Sequence, residues 1–230
     1  MQGIWRDVVR AAVEEATPYS FGDPQRITDW AALFVDAHQA APGGLSIEIG
    51  TWRGGTALVF LRLLERLYPV ETRPMLFTVD PYGDRPYNGG DGSARPALYG
   101  NQDYLVMKRL LARFANHAHF YMESAQFLGA PPRYWWQGWQ QHCDGASFVL
   151  VDGEHDAESI ARDVDVLRWR MAPGGIMVID NVDNDPVTLI ELNQIAPTLM
   201  VKQARLKRPD HASQLYAVLR PAPLAEAACR

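Results

Sequence analysis

The chain has 230 residues, 47% of them hydrophobic and 21% charged, with a formal net charge of -5. A chain of this length buries roughly 70 to 75% of its unfolded surface without a covalent staple, so one domain is expected over 1–230, with a helical extension at 1–42 and an α/β core at 43–220. The acidic balance offers no electrostatic footprint for nucleic acid, no window approaches the ~18 uninterrupted apolar residues of a membrane span, and Cys143 and Cys229 are too few for a disulfide framework or a zinc site; a cytoplasmic protein acting on a small molecule is the expectation.

Ile4-Trp5, Val8-Val9 and Ala12-Val13 recur at helical spacing, and a second amphipathic run, Ile27 to Ala40, follows the turn-forming segment Pro18 to Pro24. From Leu45 the pattern alternates between strands at 45–49, 75–80, 118–122, 147–152 and 175–180 and helices at 55–68, 102–115 and 157–171. Such alternation predicts an α/β fold with a parallel sheet. A helix over roughly 187–196 is followed by two β-rich segments, Thr198 to Gln203 and Gln214 to Leu219, whose polar connection Lys207 to His211 fits a hairpin. Two connections are long. Pro81 to Asn101, rich in Gly, Pro, Tyr and Asp, has the length of a functional loop, and its Tyr82, Tyr87 and Tyr99 suit a lid over a ligand. Pro131 to Gly145 crowds Tyr134, Trp135, Trp136 and Trp139, which either wall a substrate site or pack on the sheet edge or on another subunit of a homo-oligomer.

The richest chemistry closes the last two core strands. Asp152 ends Phe148–Val151 and Asp180-Asn181 ends Ile176–Ile179, and the crossover helix between them makes the strands parallel with both ends on one edge. Ligands bind at that edge in open α/β sheets. Asp152, Asp180 and the Asn181 amide are hard oxygen donors, suited to a magnesium-like divalent cation rather than zinc; the alternative is Asp180 as a carboxylate at the edge of a cofactor site with Asn181 only a turn residue. Upstream, Ser46 to Thr56 runs from the first strand into a helix with Glu48, Gly50 and Gly54 in an E-x-G-x-x-x-G spacing. Glycines there permit a tight turn and close backbone approach, and the helix start offers free N–H groups. The spacing is not the G-x-G-x-x-G of dinucleotide binders, and an unliganded structural turn is the alternative. Asp80 ends the second strand, where an acid can take both hydroxyls of a ribose.

Taken in order, IEIGTWRGG, FTVDPYG, MESAQFL, VLVDGEHD and APGGIMVIDNVD resemble the class I S-adenosylmethionine-dependent methyltransferases, from about Leu45 to the C-terminus. The resemblance implies a Rossmann-like, doubly wound, seven-stranded, mostly parallel sheet with a C-terminal antiparallel hairpin, here with two extra N-terminal helices. It further implies S-adenosyl-L-methionine held by Glu48, Gly50, Thr51, Gly54, Thr56, Asp80, Ser124 and Asp152, with Asp80 on the ribose, Ser124 near the adenine and Trp52 near the transferable methyl, packing beneath the loop being the equal alternative for Trp52. The Asp152 and Asp180-Asn181 pair is similar to the Mg2+ sites of catechol-type O-methyltransferases. DGEHDAESI looks like a bacterial branch containing macrocin and other natural-product O-methyltransferases and some hydroxylase-like members. Relatives in that branch carry two acids where this chain has Asp180-Asn181.

Methyl transfer to a neutral hydroxyl needs an activated nucleophile, and a divalent cation on Asp152, Asp180 and Asn181 would lower the pKa of the acceptor oxygen. His155 is the candidate base, since an imidazole of pKa about 6.5 takes a proton near neutrality; catechol-type enzymes have a lysine there, and a ligand or helix-capping role is the alternative. The expected function is O-methylation of a small hydroxylated sugar, phenol or natural product. Its rivals are a hydroxylase-like or metal-independent N-methyl-transferring enzyme of the same fold and a non-catalytic cofactor-binding module. Arg162, Asp163, Asp165, Arg168 and Arg170 are expected on a solvated helix face, and His117 and His119 in structural or surface positions.

Overall fold

The computed structural model describes residues 3–20, 23–83, 87–88, 94–95, 100–129, 145–182, 187–195, 204–206 and 214–220. The two N-terminal helices are α1 (Gly3–Ala16) and α2 (Pro24–Ala40). The second starts at Asp23, whose carboxylate accepts from the Gln25 N–H at 2.8 Å, with Pro24 at the first helical position where its missing N–H is harmless. The core then runs β1 (Leu45–Ile49), α3 (Gly55–Leu67), β2 (Leu76–Val79), the two-residue strands β3 (Tyr87–Asn88) and β4 (Ala94–Arg95), α4 (Asn101–Leu111), β5 (His117–Phe120), the short α5 (Ser124–Gly129), β6 (Ala146–Val151), α6 (Ala157–Arg168), β7 (Met171–Ile179), α7 (Thr188–Ile195), β8 (Ala204–Leu206) and β9 (Gln214–Leu219).

The seven strands of the main sheet lie in the order β5-β2-β1-β6-β7-β9-β8, the first five parallel and the last two joined antiparallel. Central strands buried on both faces read as continuous apolar runs, and β6 divides its side chains accordingly: Phe148 and Leu150 enter one core, Val149 and Val151 the other. The first core is closed by α1, α2, α3 and α4, with Trp30, Phe34 and Phe60 fully buried and Phe34 stacked on Phe60 at 4.6 Å. The N-terminal helices therefore pack on their own core. The second face is covered by α5, α6 and α7. No helix among the described residues is long and apolar enough to cross a membrane.

Several boundaries depart from expectation, α4 for one ending at Leu111 rather than 115. The strand predicted at 175–180 begins at Met171, because a bulge lets Met171 pair with Ala146 and Ile176 with Phe148, absorbing the Pro173-Gly174-Gly175 segment. Helix α6 correspondingly stops at Arg168. The outer hairpin strand is Ala204–Leu206, while the whole segment expected to form it, 198–203, lies outside the described residues, as do most of the Pro81 to Asn101 connection, the aromatic segment 131–144, and both cysteines.

Candidate active site at the carboxyl edge of the sheet

Because β1, β2, β5, β6 and β7 are parallel, the residues that follow them share one edge. The chain winds outward from β1 through β2 to β5 and then returns to β6, so the order reverses between β1 and β6, the position of the ligand crevice in such sheets. Gly50 and Asp152 stand side by side there. The Asp152 N–H donates to the Ile49 carbonyl at 2.9 Å, and Gly50, at φ +86°, lies so close that a Cβ would fall 2.0 Å from the Asp152 carbonyl oxygen. The glycine turn and the Asp152 strand end are thus in backbone contact.

Asp80 organises the turn. Its Oδ2 accepts from the N–H groups of Thr51 (2.9 Å) and Trp52 (3.0 Å), and its Oδ1 from the Tyr82 N–H at 3.0 Å. The carboxylate, expected to face a ribose, is only 1% exposed and has a backbone-holding task as well. Trp52 (φ +46°) and Tyr82 (φ +41°) sit in the left-handed region, which bulky residues adopt only when their surroundings compel it. The compulsion is visible: Trp52 is held at its N–H by Asp80 and at its carbonyl by the Tyr82 hydroxyl, with the Arg53 guanidinium 4.9 Å over its ring. Arg53 also reaches Asp103 on α4 at 2.5 Å. Tyr82, expected in a lid, is 2% exposed and belongs to the floor beneath the turn, packed on Tyr104 and His119.

Of the other cofactor candidates, Glu48 is fully buried on β1. Desolvation, then the Asp152 and Asp80 carboxylates, push its carboxyl well above the usual range. Glu48 Oε2 and Thr51 Oγ1 are buried with no hydrogen-bond partner among the described residues, as donor- and acceptor-bearing groups awaiting a polar ligand would be. Gly54 (φ +82°) caps α3, and Thr56 is half-buried on its first turn. Ser124 opens α5, where its hydroxyl receives Arg162 Nη2 at 3.3 Å. Asp163 is a correction: it is 3% exposed, not solvated, because its side of α6 faces α5, where it meets Ser124 and Arg162. Burial raises its carboxyl above the ordinary value.

The acidic cluster lies on the other side of Gly50. One ligand atom each from Asp152, His155 and Asp180 falls within 4.8 Å of the other two. His155 Nε2 is 3.5 Å from Asp152 Oδ1, and the Asn181 amide nitrogen is 3.1 Å from the same ring nitrogen. His155 does not cap α6; Asp156 does, accepting from the Ser159 N–H at 2.9 Å. Asn181 takes φ +52°, a conformation asparagine tolerates, and its Oδ1 is buried without a hydrogen-bond partner among the described residues, as is Oδ1 of Asp180. Desolvation, and next the Asp152 carboxylate, push Asp180 well above the carboxylate range, while Arg26 opposes them. Two orphaned oxygens beside a half-buried carboxylate and an imidazole fit a hard divalent cation.

The sequence reading missed Arg26. From α2 its Nη1 donates to Asp180 Oδ2 at 2.6 Å in a buried ion pair. Trp30 lies under the guanidinium at 4.9 Å, and Tyr216, on β9, packs edge-on against Trp30. Burial, then Asp29 and Asp180, push the Tyr216 phenol up to about 12. The signal available was only an arginine on a helix predicted to be amphipathic. His117 and His119, by contrast, are structural as expected, each ring 2.9 Å from the Thr78 hydroxyl and each lowered to about 4, chiefly by burial.

A model of the methyltransferase domain matches residues 47–182, more than half of the chain and the whole span from Glu48 to Asn181. Among solved structures the chain is similar to the O-methyltransferase NovP (16% identity, TM-score 0.63, 88% of this chain and 82% of that one). It is also similar to the calicheamicin methyltransferase CalS11 (14%, 0.59, 96% and 93%) and to an O-methyltransferase from Bacillus cereus in complex with SAH (11%, 0.55, 93% and 90%). No curated protein matches its sequence. At these identities the structures attest the fold, while the domain match covers the turn, the strand ends and the acidic cluster together: the chain belongs to the methyltransferase-domain family and is a class I S-adenosylmethionine-dependent methyltransferase.

Proposed function

We propose that this methyltransferase carries out cation-assisted O-methylation of a small hydroxylated metabolite. The observation that carries this reading is the juxtaposition, across Gly50, of the cofactor turn with Asp152, His155 and Asp180. S-adenosylmethionine supplies an electrophilic methyl group. Glu48, Gly50, Thr51, Gly54, Thr56, Asp80, Ser124 and Asp152 would hold it, the turn being preorganised by Asp80 so that ordering is not required at binding. The Asp152 and Asp180 carboxylates and the Asn181 amide oxygen would hold a divalent cation such as Mg2+, which as a Lewis acid would make an acceptor hydroxyl easier to deprotonate. His155 takes the hydroxyl proton, and the Asp152 carboxylate beside it stabilises the resulting imidazolium. CalS11, described as a TDP-rhamnose 3'-O-methyltransferase of calicheamicin biosynthesis, supports a sugar among the acceptors to be tried first.

The test is product formation from S-adenosylmethionine and a panel of sugar nucleotides, phenols and glycosides, read by mass spectrometry with Mg2+ and with EDTA. Methyl transfer that needs Mg2+ and disappears in Asp152→Ala supports the reading. Transfer undiminished by EDTA, or restricted to amine acceptors, rejects it.

A further inference from the structure

The two N-terminal helices do more than cover a face of the sheet, for α2 delivers a charge into the acidic cluster. Arg26 and Asp180 are 154 residues apart in sequence, both nearly solvent-free, and 2.6 Å apart at Nη1 and Oδ2. Oδ2 is thereby occupied, whereas Oδ1 is buried with no hydrogen-bond partner among the described residues, and Asp180 forms the cluster with Asp152 and His155. Arg26 is itself held by the Trp30 ring, one turn further along α2, so the guanidinium is fixed by its own helix. We propose that Arg26 is a resident counter-ion of the cation site: it shares Asp180 with the ion, restricts that carboxylate to one donor oxygen, and sets the affinity low.

This inference rests on the cation reading above, and its physical basis is charge. Ionised, as ligands of a divalent ion would be, Asp152 and Asp180 alone would present two negative charges to it; with Arg26 the cluster keeps one. Ligand charge is a main determinant of how tightly oxygen sites hold divalent ions, and repulsion between like charges is weakly screened where both are shielded from water. A site held together by its own arginine stays ordered while the ion exchanges. Arg26 thus acts through Asp180 as a positioning residue and touches neither acceptor nor cofactor in this scheme.

The probe is Mn2+ alone, titrated at pH 8 into wild type, Arg26→Gln and Arg26→Lys and followed by the electron paramagnetic resonance of the free ion, with Asp152→Asn to identify the site. Thermal unfolding with and without Mn2+ is run in parallel. Arg26→Gln should bind Mn2+ about tenfold more tightly than wild type and gain more thermal stability from it, while Arg26→Lys, which keeps the charge, stays within about threefold of wild type. Should Arg26→Gln fold only with Mn2+ present, that is the limiting form of the same result, and Arg26→Met, which preserves packing on Trp30, is the second variant. Unchanged or weaker Mn2+ binding in the neutral variants overturns the inference, as does equal tightening in Arg26→Lys; a merely structural arginine would lower thermal stability and leave affinity alone. Absence of Asp152-dependent Mn2+ binding in wild type defeats the cation reading itself. In that case the inference survives only if Arg26→Gln acquires such binding, and falls with it otherwise.

Discussion

Replacing Gly50 by alanine tests the contact on which the site depends. At φ +86° an alanine pays roughly 1–2 kcal/mol for the left-handed backbone, offset by about 0.4–1 kcal/mol from the stiffer unfolded chain. Its Cβ would also fall 2.0 Å from the Asp152 carbonyl oxygen and 2.6 Å from its carbon. These are backbone atoms at the end of β6 that cannot rotate aside, so the turn and the strand end must move apart, and overpacking of this kind costs about 1–3 kcal/mol more. The net expectation is roughly 1–4.5 kcal/mol, a large part of the roughly 5–15 kcal/mol typical of a folded domain. Gly43 is the matched control: its φ is +80°, but a Cβ there meets nothing within 4 Å, so Gly43→Ala carries the backbone strain without the collision. Urea unfolding of the two variants isolates the steric contribution, and calorimetry with S-adenosylhomocysteine reads the turn directly. Gly50→Ala should be at least about 1 kcal/mol less stable than Gly43→Ala and bind the ligand more than about tenfold more weakly. Equal stabilities together with unaltered binding would refute the claim that turn and strand end form one unit.

Asp80→Asn leaves one acceptor oxygen where three N–H groups now converge, and should weaken S-adenosylhomocysteine binding by roughly tenfold to a hundredfold, as loss of hydrogen bonds to a charged group of about 1.5–3 kcal/mol implies; calorimetric affinity equal to wild type would contradict it. Burial lowers His38 to about 3, so between the unfolded value near 6.5 and that pH the unfolded chain binds a proton the folded one refuses. Its contribution is complete above a pH of about 6.5 and is lost as the pH falls, by up to about 1.4 kcal/mol per pH unit. His38→Gln should therefore flatten the acid limb of stability measured by urea unfolding; a slope identical to wild type would dismiss the burial argument. His155→Ala should depress turnover most at low pH, where hydroxide cannot replace the base, and a pH–rate profile of unchanged shape excludes His155 from that role.

Much of the site was legible because its residues follow strands. Alternating apolar runs and helix-length spacers imply parallel strands, and parallel strands joined by crossovers must end on one edge; Gly50, Asp80, Asp152 and Asp180 are therefore neighbours before any side chain is placed. The glycines at 50 and 54 were equally visible, since a turn leaving a strand for a helix needs positive φ. The face of a crossover helix was harder to read. Asp163 looked like one charge among several, yet it is buried because α5, a six-residue helix with no clear periodicity, packs there.

What the sequence determined by itself is thus the topology and the set of residues at the edge, since both follow from short-range periodicity. Which partners those residues take was decided by tertiary structure. Arg26 reaches Asp180 across 154 positions, Tyr82 turns back to the Trp52 carbonyl, and Asp80 gathers the N–H groups of its own binding turn. Such pairings depend on how helices and loops settle on the sheet, and the stabilisation of a buried charge by one particular distant partner leaves no periodic trace in the chain.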